Sequence, residues 1–186
     1  MEKTKSLPIQ TVALCGVFTA LSAAGAFIRI PLPPVPITLQ LLFTTLAGLL
    51  LGSRVGALSV GIYIVLGLAG VPVFTQGGGL GYVLQPTFGY ILGFCAGAFV
   101  TGWIAERAAE PTFLRLLLAG LAGLAVIYAL GLSYSYCLST FYTKSPVALG
   151  TLVVSGFLIT LPGDVAKCLT AAWLARRLRP ALRRGG

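Results

Sequence analysis

The chain has 186 residues, 57% of them apolar and 9% charged, with a mean hydropathy of +0.96, 24 glycines and no histidine. That composition is a membrane protein's and excludes a disordered chain or an ordinary soluble domain. The net charge of +9 does not point to nucleic acid, because the basic residues stand at the ends of apolar runs, where they set topology and meet lipid headgroups.

Charges are missing from 6–28, 30–53, 55–105, 116–143 and 145–163. Each gap can hold a span, since about 20 apolar residues cross roughly 30 Å of hydrocarbon. The gap at 55–105 holds two, divided at "GLAGVPVFTQGGGLGY". The reading is an all-α membrane protein with six transmembrane helices, over 8–28, 37–53, 56–70, 82–103, 114–140 and 147–178. Residues 1–186 then form a single integral membrane domain, with no length left for a soluble nucleotide-binding or periplasmic domain.

The first apolar run, 7–28, lacks a small-residue cleavage site and reads as a retained span. Within it Gly16, Ala20 and Ala24 fall four apart on one helical face, a spacing that lets two membrane helices approach closely. That face serves either contacts inside the bundle or contacts with another subunit. Six spans return both termini to one side. Lys3, Lys5, Arg54, Arg107, Arg115, Arg176, Arg177, Arg179, Arg183 and Arg184 then share it, against Arg29 and Lys144 on the other. The positive-inside bias places both termini in the cytoplasm of a multi-pass cell-membrane protein.

Two of the outer connections are unusual. "RIPLPPVPITLQ" carries Pro31, Pro33, Pro34 and Pro36, which remove backbone donors and predict a stiff, extended segment. "GVPVFTQGGGLGYVLQPTFGY" is apolar, glycine-rich and uncharged, and is expected to pack back into the protein, since irregular backbone at membrane depth needs protein or a cavity around it. It and the span below offer Phe74, Gln76, Tyr82 and Tyr90, each readable as a ligand contact or as packing. Cys15, Cys95, Cys137 and Cys168 lack C-x-x-C spacing and read as plain buried cysteines rather than a metal or redox site.

The last span is too long: 32 helical residues reach about 48 Å at 1.5 Å each, and Pro162-Gly163 lies inside. Proline suits the first turn of a helix and disrupts an interior, so a break is predicted near 161–163, with Asp164 opening a new helix. Asp164 and Lys167 are three apart, on one face. An ionised side chain in a bilayer costs at least about 2.5–3.5 kcal/mol and faces protein or a cavity. The pair is either a self-compensating bridge across the kink or a ligand site, with acceptors on Asp164 and donors on Lys167. Catalysis is disfavoured by the lack of histidine, metal-spaced clusters and G-x-S-x-G. A proton relay through Asp164 stays open.

"PLPPVPITLQ", "GLAGVPVF", "QPTFGYILGF" and "LPGDVAK", in this order in a six-span chain, resemble the biotin-uptake S components of energy-coupling-factor (ECF) transporters, the BioY family. The resemblance covers essentially the whole chain. It implies a non-enzymatic, high-affinity biotin-binding subunit that captures biotin from outside, for uptake driven by a transmembrane coupling subunit and two cytoplasmic ATPases. It implies no cofactor of the chain's own, ATP being used by the partners, which suits a sequence without a P-loop. It places a small-molecule site near the extracellular side, under the outer loops, with Asp164 and Lys167 contacting biotin and Tyr90, Gln76, Phe74 and Tyr82 as further candidates. It also turns the Gly16, Ala20 and Ala24 face toward the coupling subunit. One departure is present: many members read G-P-T-G-G-Y where this chain has "QPTFGY", so Gln85 and Phe88 replace glycines and bear on pocket shape. Alternatives from outside that reading are an autonomous proton-coupled vitamin carrier using Asp164, and uptake of a related small vitamin.

Overall fold

The computed structural model describes residues 9–31, 36–108, 110–142 and 149–184; Lys3, Lys5, Pro33, Pro34 and Lys144 lie outside them. In chain order it contains α1 (Ile9–Phe27), a short hairpin of β1 (Arg29–Ile30) and β2 (Ile37–Thr38), α2 (Gln40–Leu68), α3 (Phe88–Glu106), α4 (Phe113–Cys137), α5 (Leu149–Val153) and α6 (Leu161–Arg184). Five helical stretches among the described residues are long and apolar enough to cross a membrane: 9–27, 40–68, 88–106, 113–142 and 150–182. Their outward positions carry large apolar side chains such as Val65, Phe99 and Leu118, as helices apolar all round must when lipid surrounds them.

The stretch read above as two spans, 37–53 and 56–70, runs as the single element α2. A break at Gly52 (φ 85°, ψ −178°) interrupts it. That positive φ favours glycine, and the bend it makes is sharp. A Cβ added at Gly56 would lie 2.8 Å from Gly48 Cα and 2.9 Å from Ala47 O, whereas residues eight apart in a straight helix are separated by about 12 Å. The two arms of α2 therefore fold onto one another. Glu106, at the end of α3, holds the turn: its carboxylate accepts from Ser53 N–H (3.0 Å) and from Ser53 Oγ (2.7 Å). It thereby satisfies donors that a helix start leaves free.

Glycines set the other close approaches. Between α3 and α4, a Cβ at Gly97 would meet Gly123 O at 2.9 Å, so the backbones touch where a larger residue would force them apart, as small residues permit in membrane helix pairs. The connection 69–87 does pack back. Phe74 is fully buried, its ring set against Gly67 and in contact with Tyr63 and Tyr82 at centroid distances of 5.3 and 4.5 Å. Gly70, Gly77 and Gly79 supply its positive-φ corners. The predicted break in the last span is present as well. After α5 come a π-type turn over Val154–Leu158 and two turn residues, and α6 then begins with Pro162 and Asp164 in its first turn.

Candidate functional site

Where α6 begins, four elements converge: the hairpin and start of α2, the connection 69–87, the first half of α3, and α4. They enclose a cavity whose lining includes Thr38, Gln40, Tyr82, Tyr90, Asp164 and Lys167. Its volume is about 60 Å³.

Lys167 Nζ lies 2.6 Å from Asp164 Oδ1, and both side chains are only 12–13% exposed. A pair this buried needs further hydrogen bonds to offset its desolvation. Tyr128, from α4, donates to Asp164 Oδ2 at 2.5 Å and shares a hydrogen bond with Thr160 Oγ1 at 2.7 Å. With the Tyr128 proton on Asp164, Thr160 is the donor of that second bond, and Phe157 O at 3.1 Å is its alternative acceptor. The carboxylate is thus fixed from both sides by charge-assisted bonds. Packing orients the tyrosine in turn, through edge contacts to Phe157 (4.7 Å) and Tyr90 (6.5 Å).

The sequence-derived candidates separate into two groups. Tyr82 and Tyr90 join Asp164 and Lys167 at the cavity. The Tyr90 hydroxyl donates to Gly156 O at 3.2 Å, and Tyr82 shares hydrogen bonds with Thr75 Oγ1 at 2.9 Å and Thr87 Oγ1 at 3.3 Å. Phe74 and Gln76 are not brought to the lining: Phe74 is buried beneath the connection and Gln76 is exposed. Gln85 and Phe88 also stay out of it, Phe88 packing against Tyr134 at 5.9 Å. Phe88 therefore fills core rather than cavity.

Gln40, Tyr128 and Thr160 line the cavity without having been singled out in the sequence. Each is a polar side chain inside an apolar run, which was the available signal. Arg29 in the hairpin donates to Thr75 O, tying the hairpin to the connection 69–87. Away from this site, Gly16, Ala20 and Ala24 are all exposed on α1. Gly16 and Ala20 line a groove completed by Leu58, Ile62 and Leu66 of the second arm of α2.

Chemically, the site pairs a fixed acceptor with a cation that keeps spare N–H groups, within walls that are mostly aromatic and aliphatic. It suits a small, largely apolar ligand with a donor and an acceptor side by side.

Residues 1–184 match the BioY family. A probable biotin transporter BioY of Lysinibacillus sphaericus is 43% identical over 173 residues, covering 93% of this chain and 88% of that one. The biotin transporter BioY of Thermotoga maritima is 41% identical over 165 residues, with 88% and 92% covered. Among solved structures, the S-component for biotin from an ECF-type ABC transporter superposes with a TM-score of 0.80 at 30% identity, covering 92% of each chain.

Proposed function

The chain belongs to the BioY family, and from that premise we propose that it is the biotin-binding membrane subunit of an ECF transporter. The buried Asp164–Lys167 pair, braced by Tyr128 at a cavity with mostly aromatic and aliphatic walls, carries the reading. A cyclic urea presents two N–H groups beside a carbonyl. Asp164 takes an N–H, while Lys167 serves the carbonyl or the valerate carboxylate. Tyr82 and Tyr90 close the walls, and Phe74 acts through Tyr82, against which it packs. Gln76, exposed on the outer connection, meets the ligand on entry.

The two arms of α2 count as separate crossings, which makes six and returns both termini to one face. Arg107 stacks 3.6 Å over the Trp103 ring and Arg177 lies 5.4 Å from that of Trp173. This basic, tryptophan-bearing end suits a cytoplasmic membrane interface, leaving the cavity on the extracellular side. The exposed Gly16, Ala20 and Ala24 face receives the transmembrane coupling subunit, and two ATPases complete the transporter, which consumes ATP while this chain holds no cofactor.

Titrating purified protein in detergent with biotin tests the reading. Heat of binding should saturate for the wild type and collapse in Asp164→Asn and Lys167→Ala, because truncating one partner of a buried charge pair costs about 2–5 kcal/mol. No binding by the wild type would remove the function, and wild-type affinity in both variants would remove the site. Concentrative biotin uptake by the chain alone in liposomes under an imposed proton gradient would favour an autonomous carrier instead.

A further inference from the structure

A second, larger pocket lies between the start of α4 and the end of α6, away from the Asp164 cavity, with a volume of about 680 Å³. That is within the range of small-molecule sites, about 300–1,000 Å³. α6 contributes Arg176 and Arg179 to its lining, and α4 with the residues just before it contributes Glu110, Thr112, Phe113 and Leu114. The two guanidinium groups are three residues apart on one helical face, where like charges repel, and a single carboxylate offsets only one of them. Arg177 is outside the lining and lies 5.4 Å from the Trp173 ring. α4 also brings its N-terminus here, capped by Thr112 Oγ1, which accepts from Arg115 N–H at 3.3 Å, and the positive end of its dipole adds to the guanidinium charge. The apolar part of the lining continues along the bundle: Leu114 and Leu118, four apart on one face of α4, are 62% and 54% exposed.

We propose that this pocket binds the phosphate of an anionic phospholipid of the phosphatidylglycerol class, whose acyl chains lie along Leu114 and Leu118. The inference does not rest on the biotin reading. Guanidinium groups match phosphate oxygens in bidentate geometry, and the bound anion relieves the repulsion between Arg176 and Arg179. A free phosphate would use the arginines and leave the apolar wall idle, whereas an amphiphile uses both. A zwitterionic lipid brings an ammonium that the same arginines repel. Trp173, 53% exposed and one turn before Arg176 on α6, marks this end of the bundle as the depth of a membrane interface, where the headgroup lies. Basic pockets between transmembrane helices at that depth are a recurring form of lipid headgroup site. A lipid seated here ties α4 to α6 at the end of the bundle remote from Asp164.

The test takes delipidated protein in a neutral detergent, titrated with dioleoylphosphatidylglycerol or dioleoylphosphatidylcholine and followed by native mass spectrometry and melting temperature. The wild type should retain the anionic lipid in preference to the zwitterionic one, and its melting temperature should rise with phosphatidylglycerol concentration, as for any ligand of the folded state. Arg176→Gln combined with Arg179→Gln should weaken retention about 30-fold, each basic side chain near a membrane surface being worth about fivefold. Arg177→Gln removes the same charge outside the pocket and should stay within about twofold of wild type. Leu114→Asp keeps the test open if the double variant does not fold: an acidic residue suits the first turn of a helix, yet here it should repel the phosphate and weaken retention at least about fivefold. Equal retention of the two lipids by the wild type would overturn the proposal. So would a loss in Arg177→Gln matching that of the pocket variants, or unchanged retention in the double variant or in Leu114→Asp. Inorganic phosphate that raised the melting temperature as much as phosphatidylglycerol would overturn it in favour of a free anion. A double variant that kept its lipid preference but no longer co-purified with other transporter subunits would overturn it in favour of a protein contact.

Discussion

Replacing Tyr128 by phenylalanine removes one oxygen and little else. The ring is 6% exposed and keeps its edge contacts to Phe157 and Tyr90, and Thr160 retains Phe157 O as acceptor. What disappears is the 2.5 Å hydrogen bond to Asp164 Oδ2. A hydrogen bond to a charged group contributes about 1.5–3 kcal/mol, or about 10- to 150-fold in affinity if all of it is expressed in binding. Lys167 still holds Oδ1 at 2.6 Å, so the carboxylate loses one of two anchors and the lower end, about tenfold, is expected. Calorimetric titration with biotin would measure it in Tyr128→Phe, in Asp164→Asn and in the double variant. Because Tyr128 acts through Asp164, adding Tyr128→Phe to Asp164→Asn should change affinity by no more than about twofold, the scatter seen for uncoupled sites. A full tenfold further loss in that background would refute the reasoning and make Tyr128 an independent contact.

Arg29→Ala should speed biotin dissociation in a stopped-flow chase with little change in association, because it releases the tie from the hairpin to Thr75. Gly56→Ala should lower the melting temperature, its new methyl meeting Gly48 Cα at 2.8 Å, with an overpacking cost of about 1–3 kcal/mol. Gly61→Ala, whose Cβ would meet nothing within 4 Å, should hold or raise it through helix propensity. Ala20→Trp should leave biotin binding by the isolated protein intact while blocking co-purification with the coupling subunit, since Ala20 is exposed and lines the α1 groove. In a background without native cysteines, Gly81→Cys should react with an impermeant thiol reagent from outside and Glu110→Cys only from inside. A Cβ at Gly81 would meet nothing within 4 Å, so the cysteine there should leave the fold intact.

Much of the fold was legible because the bilayer imposes a length rule on the sequence. Charge-free gaps located the helices, and Pro162 located the start of α6 to within about a residue. The apolar, uncharged connection after α2 was legible as one that packs inward, and Phe74 beneath it shows how. The Gly52 reversal was the harder case. Arg54 separates the charge-free stretches 30–53 and 55–105 and so marked a boundary. Nothing local says that the helix resumes one residue later, because the partner that makes this possible is Glu106, 53 residues away. A cap supplied from another helix leaves no trace in the sequence around the turn it caps.

The site divides along the same line. Asp164 and Lys167 were legible because a charge in an apolar run is expensive and so demands a reason. Tyr128, Thr160 and Gln40 were not, because a lone hydroxyl or amide in a membrane helix has a cheap local outlet: a threonine or serine can bond the carbonyl one turn back, as Thr19 does with Cys15 O at 2.9 Å. Only the arrangement of helices separates the two situations. Thr160 has such local outlets as well, to Gly156 O and Phe157 O, yet it also reaches Tyr128 and through it Asp164. Polar residues in apolar spans therefore become informative about function when their hydrogen bonds are followed outward. Tyr128 and Thr160 lead in this way to Asp164 and the cavity, whereas Thr19, which also reaches Ser59 O on α2 at 2.8 Å, stays away from it.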